Sequence, residues 1–129
     1  MPRALQIGND ALLMQTRTGL IAEAGLEVLN LVGLAEALVR IPSAYWDAAI
    51  LCHTLSRADR AAVIAALRRR NPRAPVLLVA RRSYMPPGEA AEFDLVLSAT
   101  PAKMIAALRV LLKQLAEEQE EQEEEEEAG

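Results

Sequence analysis

The chain has 129 residues, 52% of them hydrophobic and only 3% aromatic, enough for one domain whose core is built from Leu, Val, Ile and Ala. A single cysteine excludes an internal disulfide framework, and no apolar run approaches the roughly 18–20 residues that span a bilayer. The net charge of −4 conceals an asymmetry: residues 1–116 hold all 14 Lys and Arg side chains against nine acidic ones, a formal +5, while residues 117–127 carry nine glutamates.

Short apolar segments alternate with helical patterns along the chain. Residues 4–7 read as a first strand, and Asp10 is placed to cap the helix that follows it. Leu13, Leu20, Ile21 and Ala24 form that helix's apolar stripe, and Gly25 stands where a left-handed C-cap is expected. Residues 26–32 read as a second strand, followed by a stripe of Leu34, Leu38 and Ile41. Residues 48–52 form a third, followed by Val63, Ile64 and Leu67, with Asn71-Pro72 ending that helix. Residues 76–80 form a fourth strand. Residues 83–92 hold a weak helical pattern interrupted by Pro86-Pro87-Gly88. A fifth strand is expected at 94–97. Thr100-Pro101 then reads as an N-cap and first helical residue, opening the clearest stripe: Met104, Ile105, Leu108, Leu111, Leu112 and Leu115. Strands that are apolar on both faces and alternate with helices pack as a parallel sheet covered on both sides.

The glutamate-rich end is expected to behave as a separate tail of residues 117–129. If the last helix continued, Glu117 and Glu121, Glu120 and Glu124, Glu121 and Glu125, and Glu123 and Glu127 would be like-charged neighbours four apart. At about 0.2–0.5 kcal/mol each, and with negative charge opposing the end of the helix dipole, the helix is expected to fray soon after Leu115.

Few residues carry chemistry. Gly8, Gly19 and Gly33 lack the spacing of a phosphate-binding loop. His53 is the only histidine, so no Ser/His/Asp arrangement exists, and one Cys with one His falls short of a zinc site. Cys52 reads as a small apolar side chain at a strand end. The sharper reading, a reactive thiol, needs a cation or helix N-terminus beside it. Asp10 is explained by capping without a metal. Arg57, Arg60, Arg68, Arg69, Arg70, Arg73, Arg81 and Arg82 concentrate positive charge mid-chain. With no reader helix and few aromatics, nucleic acid is disfavoured against ordinary solvated arginine. The chain's own tail is a further candidate to be attracted there.

From Arg3 to about Gln114 the chain resembles a response-regulator receiver domain of the CheY-like kind. The resemblance rests on Leu5-Gln6-Ile7-Gly8-Asn9-Asp10 at the first strand, Ala24-Gly25-Leu26-Glu27-Val28 at the second, Trp46-Asp47 opening the third, and Pro75-Val76-Leu77-Leu78-Val79-Ala80 at the fourth. It implies a flavodoxin-like, doubly wound five-stranded parallel sheet in the order 2-1-3-4-5 with helices on both faces, spanning residues 1–116.

The same resemblance implies chemistry that this chain lacks. Receivers gather carboxylates that hold Mg²⁺ and offset charge on a transferring phosphoryl group. Here the acidic pair falls on Gly8 and Asn9, and the phosphoacceptor on Cys52. The hydroxyl position falls on Val79, and Leu97-Ser98-Ala99-Thr100 offers no lysine, since Lys103 already lies in the next helix. The expectation is a degenerate receiver, not an enzyme, with no cofactor and no metal. It would be a cytoplasmic module of two-component (phosphorelay) signalling that binds a protein partner in trans: a kinase, regulator or output protein. Met85, Lys103 and Met104 are the expected partner surface, and a homodimer is left open. The alternative is a flavodoxin-like small-ligand or thiol-redox domain using Cys52.

Overall fold

The structure, a computed structural model, describes residues 1–80 and 92–128. Five strands form one parallel sheet in the order β2-β1-β3-β4-β5. They are β1 (Arg3–Gly8), β2 (Glu27–Val32), β3 (Ala48–Cys52), β4 (Val76–Ala80) and β5 (Leu95–Ser98). Among the described residues four helices surround the sheet: α1 (Ala11–Ala24), α2 (Leu34–Arg40), α3 (Arg57–Arg70) and α4 (Pro101–Ala128). The sheet order and the two-sided helical cover are those expected from the sequence. The weak helical pattern at 83–92 falls, but for Glu92, outside the described residues.

Alternation along the strands divides the interior in two. Leu5, Ile7, Ala49, Leu51, Val76 and Leu78 turn toward α2 and α3, where they meet Ala37, Ile41, Val63 and Leu67. Ala4, Ala48, Ile50, Leu77 and Val79 turn the other way, onto Ile21 and Ala24 of α1 and Met104, Leu108 and Leu111 of α4. Each fully buried Leu, Ile or Val contributes about 1.5–3 kcal/mol, so these two layers supply most of what holds the fold.

Element boundaries follow from where backbone groups find partners. The Gly25 amide bonds Ala22 O and the Leu26 amide bonds Ile21 O, with Gly25 at φ 112°. Leu26 therefore belongs to the helix cap, and β2 begins one residue later than the apolar run suggests. Asp94 is likewise held outside β5: its amide donates to Val76 O at 2.9 Å and its carboxylate accepts from Val76 N at 2.7 Å. Asp10 caps α1 as expected, accepting from Leu13 N at 3.1 Å. Ser56 caps α3 in the same way, through Asp59 N at 3.1 Å.

Three packing expectations change. The sheet-facing stripe of α1 is Met14, Arg17, Ile21 and Ala24, with Leu13 and Leu20 only half-buried. On α2, Leu38 is exposed, and Ala37 with Ile41 faces the core. The largest change is at the C-terminal end, where α4 runs as one helix to Ala128 instead of fraying after Leu115. Glu, Gln and Ala are among the better helix formers, and a helix already anchored by Met104, Leu108 and Leu111 needs no new nucleus to propagate. Repulsions of tenths of a kilocalorie per pair are then outweighed.

Candidate functional site

In an open parallel sheet the chemistry gathers beyond the carboxyl ends of the strands. Gly8 closes β1 and Cys52 closes β3, the strand beside it. Asn9 and Asp10 lead into α1, and His53 and Thr54 into α3. The sequence placed Gly8, Asn9 and Cys52 at one locus, and the structure brings them together.

The two loops are clasped by neutral groups. The Asn9 amide donates to Thr54 Oγ1 at 3.0 Å, and Asn9 Nδ2 donates to the Thr54 carbonyl at 3.1 Å. Gly8 lies under this clasp with no room for a side chain. A Cβ there would stand 2.9 Å from Cys52 Cβ, 3.0 Å from Thr54 Oγ1 and 3.1 Å from Cys52 Sγ. The Cys52 and Thr54 side chains thus close in on the space that a carboxylate at residue 8 would need.

Cys52 itself is fully buried. Its thiol faces Gln6 Oε1 at 3.9 Å, a long S–H···O contact. Burial pushes the thiol above its ordinary range, against a smaller opposing pull from the Arg17 guanidinium beside it. The result is a protonated, apolar cysteine and not an activated nucleophile. Val79 pairs alongside Cys52 in β4 and packs in the α1–α4 core; the last residue of that strand, Ala80, offers no hydroxyl either.

Two residues of this region stand at no position where the motifs in the sequence expect chemistry. Gln6 is buried, and its Nε2 reaches Asn30 Oδ1 at 2.7 Å, Met14 O at 2.9 Å and Thr18 Oγ1 at 3.3 Å. Asn30 Nδ2 bonds Thr18 Oγ1 at 2.9 Å, which closes the network between β1, β2 and α1. Arg17, only 6% exposed, sits on the sheet-facing side of α1, and its Nη1 has no hydrogen-bond partner among the described residues. The one available hint was spacing: Arg17 follows Met14 by three and precedes Ile21 by four, so it shares the buried stripe.

The residues present do not fit a magnesium ion. That cation takes near-octahedral oxygen ligands, mostly carboxylate, phosphate and water. Residue 8 has neither a side chain nor space for one, residue 9 is a neutral amide engaged with Thr54, and residue 52 is a buried thiol. Asp10 is occupied as the cap of α1. No cluster of three His, Cys, Asp or Glu able to hold a metal exists among the described residues.

The expected partner surface is redrawn. Met104 is 1% exposed and packs into the α1–α4 core, because it lies on the stripe that carries Leu108 and Leu111. Lys103 is exposed in the first turn of α4, and Met85 lies outside the described residues. The arginines also separate. α3 has 14 residues, about 21 Å, and carries Arg57 and Arg60 at one end and Arg68, Arg69 and Arg70 at the other. Arg68 pairs with Asp94, and Arg70 bonds the Pro42 carbonyl. Arg81 and Arg82 lie outside the described residues. No helix among the described residues is long and apolar enough to cross a membrane.

Receiver domains and response regulators are among the solved structures to which the chain is similar. Chemotaxis protein CheY4 of Vibrio cholerae superposes with a TM-score of 0.71 at 19% identity, over 84% of this chain and 97% of that one. This chain has the receiver-domain fold. Thermotoga maritima response regulator TrrA, solved with Mg²⁺ and BeF, gives 0.71 at 20% identity over 89% and 99%. TrrA has also been solved in complex with the histidine kinase ThkA. A protein described as a pilus assembly protein, CpaE, of Burkholderia thailandensis gives 0.70 at 24% identity over 91% and 99%. No family model matches the chain, and no curated protein matches it in sequence.

Proposed function

We propose that this receiver fold works as a pseudo-receiver: a protein-interaction module of two-component-type signalling that takes no phosphoryl group. The observation that carries this reading is the packing at the acceptor position, where a buried cysteine stands against Gly8 with no carboxylate or space for one. The catalytic parts of a receiver act together. A metal that neutralises charge, an oxyanion that attacks and a cation that clamps the phosphoryl group each need the others. Here the first two are replaced by neutral, mutually packed groups.

Signalling then passes by contact. TrrA in complex with a histidine kinase is an example of a receiver fold engaging a protein partner, and this chain offers the exposed Lys103 and Val110 of α4 and Leu95 of β5 as a starting surface. A single free thiol kept reduced and buried suits the cytoplasm. The thiol-redox alternative has the weaker support, because burial holds Cys52 protonated. Incubation with acetyl phosphate and Mg²⁺, followed by intact-mass measurement, is expected to leave the chain unmodified. A phosphoryl adduct would overturn the reading.

A further inference from the structure

α4 leaves the body at the pole formed by the amino ends of the strands, and arginines collect there too. Helices that connect parallel strands run back toward those ends, which brings Arg40 at the close of α2 together with Arg68, Arg69 and Arg70 at the close of α3. Arg70 Nε bonds the Pro42 carbonyl and ties the two helix ends. Three acids of this pole are already engaged. Arg3 holds Glu27 at 3.2 Å, Arg68 holds Asp94 at 3.1 Å, and Asp47 accepts from the Arg3 amide and the Tyr45 hydroxyl. Among the described residues Arg40, Arg69, Arg70 and Arg73 form no ion pair. Arg73 and Asn71 line a cleft of about 290 Å³ with Leu115, Glu118 and Gln119 of α4. Even there Glu118 forms no ion pair with Arg73, and Glu124 lies about 9 Å farther along the helix axis, roughly one Debye length. The chain's own pole therefore leaves the glutamates beyond Gln119 unpaired. One face of this rod is uncharged. Leu108 is buried and Leu112 and Leu115 are half-buried, and the spacing 108, 112, 115, 119 and 122 continues their seam with Gln119 and Gln122, the two residues of 117–127 that are not glutamate.

We propose that two copies of this chain associate reciprocally, the acidic end of α4 from each lying against Arg69, Arg70 and Arg73 of the other. Charge complementarity selects the occupant. Residues 1–116 carry a formal +5 and residues 117–127 nine glutamates, so each copy holds both halves of the contact. Two rods side by side are disfavoured, because glutamates flank the neutral seam and like charges would meet. The fold also gives the symmetry. α1 and α4 cover one face of the sheet, and α2 and α3 the other. A two-fold axis in the plane of the sheet, across the strands, brings α4 of one copy to the α2–α3 side of its partner, and the contact closes as a dimer. There glutamates meet guanidinium groups in charge-assisted hydrogen bonds, while the neutral seam adds no repulsion. This association goes beyond the pseudo-receiver reading and does not depend on it.

The test is sedimentation equilibrium of the full chain from micromolar to millimolar concentration, in low and in high NaCl. The expected result is a monomer at the dilute end and a dimer at the concentrated end, with affinity falling as salt rises. Arg69, Arg73, Glu120 and Glu121 are all exposed, so reversing their charges leaves the fold intact. Arg69→Glu with Arg73→Glu, and separately Glu120→Lys with Glu121→Lys, should each weaken self-association by about tenfold or more, the size of a few exposed charge pairs. Mixing the two variants should restore it, because each contact then joins opposite charges again. A chain that stays monomeric across this range overturns the proposal, and the rod is then left to a cationic partner of another sequence. A dimer indifferent to salt overturns it too, as does a pair of variants that fails to associate on mixing.

Discussion

Gly8 and Cys52 are packed so that a single added carbon on residue 8 would come within 2.9 Å of the Cys52 Cβ. Both atoms belong to strand ends held in a parallel ladder, so neither can swing aside as a flexible side-chain tip could. Gly8→Ala is therefore expected to destabilise the domain by about 1–3 kcal/mol, the usual cost of overpacking. Urea unfolding should show a lower midpoint with an unchanged slope. A midpoint equal to that of the unsubstituted protein would show that the strands yield.

Asp94 joins the start of β4 to the end of α3. Its carboxylate accepts from the Val76 amide at 2.7 Å and from Arg68 Nη2 at 3.1 Å. Asp94→Ala leaves a partly buried amide unsatisfied and should cost about 1–3 kcal/mol. Arg68→Met removes an ion pair whose partners are 35% and 49% exposed and should cost under about 1 kcal/mol of electrostatics. Denaturation of the two variants in low and high salt distinguishes the terms: only the Arg68 contribution is expected to shrink as salt rises.

The Cys52 thiol titrates higher in the folded protein than in the unfolded chain, because burial disfavours the thiolate. Below the unfolded value, about 8.5, this contribution to stability is fully present. It is lost progressively as pH rises through the higher folded value, since the unfolded state gives up its proton first. Stability above about pH 8.5 should thus fall more steeply for the native sequence than for Cys52→Ala. Disulfide-exchange reagents should label the folded protein far more slowly than the denatured chain; equal rates would contradict the burial.

Residues 116–128 continue α4 beyond the last partly buried core contact, Leu115. The glutamates in this stretch repel one another at helical spacing, so added salt should strengthen the helix by screening them. Circular dichroism at 222 nm is expected to gain a small helical increment between low and high NaCl, absent after truncation at residue 116. A signal independent of salt would show that these repulsions contribute nothing.

The sequence carried the sheet more faithfully than the site. β3 and β4 stand at the limits read from their apolar runs, because strands buried on both faces leave no polar residue to blur their edges. Helix faces were less legible. On α1 the buried stripe contains Arg17, and a charged residue on an apolar face reads as a reason to rotate the helix away. Met104 was taken for a contact outward when it faces the core. The tail was judged on charge alone, without the anchoring by Met104, Leu108 and Leu111 that lets it propagate. Gly8, Asn9 and Cys52 were found because they stand where a motif expects other residues. Gln6 and Thr54 stand at no position where a motif expects chemistry, and only the fold places them in the surroundings of Gly8 and Cys52.

The run of α4 past the globule also makes the molecule electrically lopsided. Beyond Gln119, which still lines a surface cleft with Asn71 and Arg73, nine residues at a 1.5 Å rise form a rod of about 14 Å, carrying seven negative charges away from a body of opposite sign. Such a particle has a large dipole moment, and it would turn in an external field or near a charged surface so that its two ends meet different neighbours. An anion exchanger would capture it by the rod and leave the arginine-bearing body facing the solvent.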